Sequence, residues 1–150
     1  MIDVEESIDV GRDVRTVYDQ WTQFESFPQF MEAVESVRQL DDTHLHWVVD
    51  VAGRKAEWDA VISQQSPDTV IAWTSTSGPA NGGRVHFEAL SPDRTRVTLQ
   101  LTYVPEGLLE QAGEFLGLLQ GQIRRDLKNF RAFIEERGEA TGEWRGRVAS

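Results

Sequence analysis

The chain has 150 residues, enough for one domain with a substantial core and short for two. Its 15 basic and 25 acidic residues leave a net charge of −10, so the surface as a whole repels phosphate backbones and anionic headgroups, and nucleic acid is not an expected partner. With no cysteine, disulfides, thiolate nucleophiles and cysteine-based metal sites are excluded.

Ile2, Val4, Ile8 and Val10 alternate with polar neighbours and predict a half-buried strand, although Glu6 stands where another apolar residue is expected. The same ten residues carry acid where a targeting segment needs base, so a cytoplasmic location is expected. Asp13 can cap a helix in which Val14, Val17, Tyr18 and Trp21 recur at i, i+3, i+4 and i+7. Phe24, Phe27, Phe30 and Met31 follow at near-helical spacing, with Ser26 as a cap and Pro28 in the first turn, and predict a second short helix.

From Ala33 to Val104 the turn sequences Asp41-Asp42-Thr43, Ala52-Gly53-Arg54, Ser66-Pro67-Asp68 and Ser91-Pro92-Asp93 separate runs of strand length, which predicts an antiparallel meander. Leu45, Trp47, Val49 and Val51 share one face of the first run. Ala56, Trp58, Ala60 and Ile62 repeat the pattern, as do Ile71 and Trp73, then Val85, Phe87 and Ala89, then Val97, Leu99, Leu101 and Tyr103. The stretch from Ser77 to Gly83 reads as a glycine-rich flap at the sheet edge.

The last element is the longest. Leu108, Ala112, Phe115, Leu116, Leu119, Ile123, Leu127, Phe130 and Ile134 step by threes and fours and predict one amphipathic helix over about 106–137, which Gly138 can end. Glu110, Gln111 and Glu114 interrupt its most apolar part, so it is no membrane span and membrane contact is not expected. Gly113, Gly117 and Gly121 form a stripe within it, either leaving room for a ligand or a flexing lid, or marking close approach of a neighbour. Residues 1–137 are the expected domain, and 138–150 a frayed polar tail.

One apolar sheet face needs a cover and one helix with an apolar stripe supplies it. The expected class is α+β, a curved seven-stranded antiparallel sheet wrapped around a long C-terminal helix, with two short helices between strands 1 and 2.

That order resembles the polyketide cyclase/dehydrase family of the START-like superfamily. The likeness also rests on Val17-Tyr18-Asp19-Gln20-Trp21-Thr22-Gln23-Phe24-Glu25-Ser26-Phe27-Pro28, on Phe30-Met31, on Val34-Glu35-Ser36-Val37, on His46-Trp47-Val48, on Gly53-Arg54-Lys55-Ala56-Glu57-Trp58 and on the strand from Thr95 to Tyr103. The resemblance implies a helix-grip fold with an apolar cavity between sheet and helix. It does not fix an activity, because fold alone does not imply function.

Trp21, Trp47, Trp58, Trp73, Phe87, Tyr103, Phe115, Leu116, Leu119 and Ile123 are the candidates to line such a cavity. Flat aromatic walls suit a planar apolar ligand, and the same residues also serve as core filling. Tyr18, Tyr103 and Arg38 are the candidate catalytic groups, as hydroxyl donors or a cation for a carbonyl or carboxylate. His44, His46 and His86 fall on polar strand faces without ligand spacing, so neither a metal nor a cofactor is expected. Nucleophile-elbow, phosphate-loop and dinucleotide motifs are missing from the sequence. Two functional readings follow: binding of a small hydrophobic molecule (lipid, isoprenoid/quinone or aromatic polyketide), or cyclase/aromatase-like catalysis in the same cavity.

Overall fold

The computed structural model describes residues 2–51, 53–78, 80–103 and 109–148. In chain order the elements are β1 (Ile2–Val10), α1 (Val14–Trp21), a 3-10 helix (Phe24–Gln29), β2 (Val34–Gln39), β3 (His44–Val51), β4 (Arg54–Ser66), β5 (Val70–Ser75), β6 (Asn81–Ser91), β7 (Arg94–Tyr103) and α2 (Leu109–Arg137). The strands form one sheet in the order β1-β7-β6-β5-β4-β3-β2, and every pairing is antiparallel. This is the expected seven-stranded helix-grip architecture, with residues 104–108, where the long helix was expected to begin, outside the described residues.

The alternation read from the sequence sets the two faces of the sheet. Val4, Leu45, Trp47, Ala60, Ile62, Ile71, Trp73, Val85, Phe87, Val97 and Leu99 are buried on the concave face. α2 covers that face, packing on β1 and reaching β3, with Leu119, Ile123, Leu127, Phe130 and Ile134 buried beneath it. Glu6 occupies its apolar slot because its carboxylate reaches past the edge of α2 to Arg124 at 2.8 Å.

Asp13 caps α1 by accepting the Thr16 N–H at 3.2 Å. The short element after it differs from expectation. It is a 3-10 helix that starts at Phe24, and Ser26 lies inside it rather than at its cap. Phe27 of this helix joins Trp21 of α1, Phe30 and Phe130 of α2 at one end of the grip, where the rings meet at centroid distances of 5.1 to 6.1 Å in tilted or edge-on pairs.

The flap is shorter than its glycine content predicts. Gly82 and Gly83 belong to β6, because the Trp73 indole lies flat over Gly83, where a Cβ would stand 2.3 Å from a ring carbon. The glycine stripe of α2 is also corrected in part. An added Cβ at Gly117 meets no atom within 4 Å, and at Gly121 only the side chain of Arg125, so neither marks the close approach of a neighbouring element. Gly113 lies outside the described side chains.

Within the expected tail, residues 138–148 make specific contacts. Gly138, at φ +79°, ends α2 by donating to the Ile134 carbonyl at 2.9 Å. The chain then crosses α1, where the Thr141 N–H donates to Gln20 at 2.9 Å, and pairs Val148 with Gln65 of β4. Polar composition predicted exposure, whereas Thr141 and Val148 have found partners 121 and 83 residues away in sequence.

Candidate functional site

The concave face carries the three tryptophans of neighbouring strands close together. The ring centroids of Trp47 and Trp58 are 6.0 Å apart at an interplanar angle of 13°, and those of Trp47 and Trp73 are 5.6 Å apart at 23°. The register explains the stack: Trp47 pairs directly with Trp58, while Trp73 sits opposite Gly83, whose missing side chain lets the indole lie down. Phe27 leans on Trp47 at 5.8 Å and ties this wall to the aromatic cluster under α1. Trp47 and Trp73 are 5% and 6% exposed, and Trp58 is half-buried.

Of the other candidate lining residues, Trp21, Phe87, Leu119 and Ile123 are buried in the same core. Trp21 and Phe87 are 6.5 Å apart in an edge-on pair. The side chains of Tyr103, Phe115 and Leu116 lie outside the described ones.

Three polar features interrupt this interior. The indole N–H groups of Trp21, Trp47 and Trp58 are buried without a hydrogen-bond partner among the described residues. Asp126, buried on α2, accepts from Gln122 Nε2 at 2.9 Å and from the Glu32 N–H at 3.2 Å, and burial pushes its pKa up to about 6. Gln65 faces inward because the register shifts between Ile62 and Gln64, so that Gln65 rather than Gln64 comes opposite Ile71. Strict alternation predicts the reverse, and no turn residue announces the bulge.

The candidate catalytic groups are dispersed. Arg38 pairs with His46 across β2 and β3 and is exposed on the outer face. Tyr18 is buried, with its ring 5.2 Å from Phe87 and the Arg145 guanidinium 5.5 Å from its centroid. Burial holds its hydroxyl above the ordinary phenol range, against the opposing pulls of Gln65 and Arg145.

The histidines serve the surface. His46 stands between Asp59 at 2.7 Å and Glu57 at 3.2 Å, and the hydrogen bond from His46 is the main cause that holds Asp59 below the usual carboxylate range. His44 pairs with Asp41 at 2.9 Å. Among the described residues no group of three or more histidines and carboxylates is arranged to hold a metal ion, and no helix is long and apolar enough to cross a membrane.

Two open depressions lie outside the grip. One, of about 440 Å³, sits on the outer face of β4 to β7 among small polar side chains such as Ser63, Thr74 and Thr102. The other, of about 590 Å³, is bordered by Asp9, Arg94, Arg131 and Glu135, where Asp9 is engaged by Arg94 and Arg96 and Glu135 by the Gly11 N–H. The first has a single aromatic residue in its lining, Trp73, and the second has none.

A curved sheet gripping its C-terminal helix around an aromatic interior is the START-like fold. Residues 10–131 match the family described as polyketide cyclase / dehydrase and lipid transport, and the chain belongs to that family. It is 50% identical over 149 residues, 99% of each chain, to an uncharacterized 17.2 kDa protein of the melC2-rnhH intergenic region of Streptomyces lincolnensis. Among solved structures, a START superfamily protein from Mycobacterium smegmatis superposes with a TM-score of 0.76 at 15% identity, covering 89% of this chain and 97% of that one. The Zhui aromatase/cyclase from Streptomyces sp. R1128 gives 0.73 at 19% identity, covering 95% and 99%. Both share the fold.

Proposed function

We propose that the protein binds a small hydrophobic ligand of the lipid, isoprenoid/quinone or aromatic polyketide kind between the concave sheet face and α2. The observation that carries this reading is the near-parallel arrangement of Trp47 with Trp58 and Trp73. Flat rigid walls give a planar apolar molecule large contact at low entropic cost. The unpartnered indole N–H groups of Trp47 and Trp58 narrow the class. A buried donor without an acceptor costs about 1–3 kcal/mol, so a ligand bearing a carbonyl oxygen, such as a quinone or a polyketide, gains more here than a pure hydrocarbon. The family description, which joins lipid transport to polyketide cyclisation, supports the same chemistry.

The likeness to an aromatase/cyclase favours a second reading, in which the bound polyketide is cyclised and a hydroxyl of Tyr18 or Tyr103 moves a proton. Arg38, on the outer face, is no part of it.

Native mass spectrometry of the purified protein, together with analysis of its organic extract, tests occupancy, with a stoichiometric apolar compound as the expected result. Titration with a 1,4-naphthoquinone gives the second arm: saturable one-site quenching of tryptophan fluorescence is expected, and purely collisional, non-saturating quenching overturns the binding reading. Unchanged turnover of a poly-β-ketone after replacing each tyrosine with phenylalanine overturns the cyclase reading.

A further inference from the structure

The segment after α2 crosses α1 and ends on β4, and its rim is well bonded. Gln20, fully buried, accepts the Thr141 N–H at 2.9 Å and donates to Thr141 Oγ1 at 3.1 Å. Arg145 bridges two elements, donating to Asp19 of α1 at 2.5 Å and pairing with Asp68 of the β4–β5 turn at 2.8 Å. Val148 exchanges two backbone hydrogen bonds with Gln65, at 2.7 and 2.9 Å, and Arg147 donates to Ser66 Oγ at 2.9 Å. The site of this bridge has a topological reason. The β3 pairing stops at Val61, so the end of β4 projects past its neighbour and offers a free edge that Val148 covers.

What the segment covers is poorly satisfied. Tyr18 and Gln65 are 0% and 2% exposed, and neither the Tyr18 hydroxyl nor either polar atom of the Gln65 carboxamide has a hydrogen-bond partner among the described residues. The two side chains are electrostatic neighbours, yet one hydroxyl can satisfy only one end of a carboxamide. Closing the segment over them therefore removes water from at least one end of the Gln65 carboxamide that gains no partner in return, and the ionic and backbone contacts of the rim have to offset that loss.

We propose that residues 139–148 form a releasable strap, pinned by Arg145, which opens as a unit while the sheet and α2 stay folded, and that the Tyr18–Gln65 polar pair beneath biases it toward opening. Release uncovers Tyr18 and the edge of β4 beyond Val61, and Gly138 is the hinge.

Native-state amide hydrogen exchange on the full chain tests it. The Thr141, Val148 and Gln65 amides, each a donor in a strap contact, are expected to exchange together and faster than the Phe87 amide of β6, which donates to Thr69 in the β4–β5 turn. Y18F and Q65L each delete polar atoms buried in the closed form, so each slows strap exchange by about fivefold to tenfold, and R145Q speeds it by about tenfold. Y18F is close to isosteric and serves where Q65L perturbs packing. Exchange of the three strap amides at the Phe87 rate overturns the proposal, and so does a Y18F protein whose strap exchanges as fast as wild type or faster.

Discussion

The Asp126 carboxylate accepts the backbone N–H of Glu32 at 3.2 Å and so ties α2 to the corner between the 3-10 helix and β2. The tie has a charge cost, because burial raises the pKa of Asp126 from the ordinary 3.8 to about 6, with Glu32 also raising it and Gln122 and Arg125 opposing.

A pH dependence follows from that shift. The folded state binds the proton more tightly than the unfolded chain, so the contribution of Asp126 to stability improves as pH falls from about 6 to 3.8 and is lost again as pH rises. Asp19 is shifted upward as well, by burial, so the comparison needs a variant. D126N keeps an oxygen for the Glu32 N–H and removes the charge. Urea unfolding at pH 7.5 is expected to find it more stable than wild type by about 1–2 kcal/mol, with the difference shrinking toward pH 4. A variant less stable than wild type at pH 7.5 would show that the charge itself holds the corner.

Two glycines separate space from conformation. Gly117 has open surroundings and Gly78, at φ +70°, would place a Cβ 2.6 Å from the Glu57 carbonyl oxygen. Calorimetry is expected to show G117A raising stability by about 0.5–1 kcal/mol through helix propensity. G78A is expected to lower it by about 1–3 kcal/mol, because the loop from β5 must lift off Trp58.

Gly83 has a different role. Because Trp73 lies over its backbone, G83A is expected to push the indole out of its 5.6 Å arrangement with Trp47 and to cost about 1–3 kcal/mol by overpacking. Near-UV circular dichroism reads the stack directly. A G83A spectrum that overlays wild type would mean that the indole does not rest there in solution.

The fold was legible because period-2 alternation, turn chemistry and one long helical stripe all agree, and they place Trp47, Trp58 and Trp73 on one face without any knowledge of tertiary contacts. The misses share a physical origin in pairings that local pattern does not encode. Gln65 turns inward through a bulge, which flips the faces beyond it. Asp19 and Gln20 are buried on α1 because Arg145 and Thr141 return from the other end of the chain. Asp126 is covered by a corner whose position depends on the whole sheet.

The tryptophans themselves divide structural from binding roles. Trp47 touches Phe27, Trp58 and Trp73 and is buried, so W47A removes a central ring of the core and is expected to cost about 3–5 kcal/mol. Trp58 is half-buried and among the described residues its ring stacks on Trp47 alone, so its loss is less damaging to the fold. W58A is therefore expected to remain folded while weakening one-site binding of a 1,4-naphthoquinone by roughly threefold to tenfold, the worth of one aromatic contact. A linear saturated fatty acid, which has no flat face to match, is expected to lose less. Isothermal titration of both ligands against wild type and W58A decides the matter: equal losses for the planar and the linear ligand would assign Trp58 to general apolar burial, and a selective loss for the planar one places the stack at the ligand.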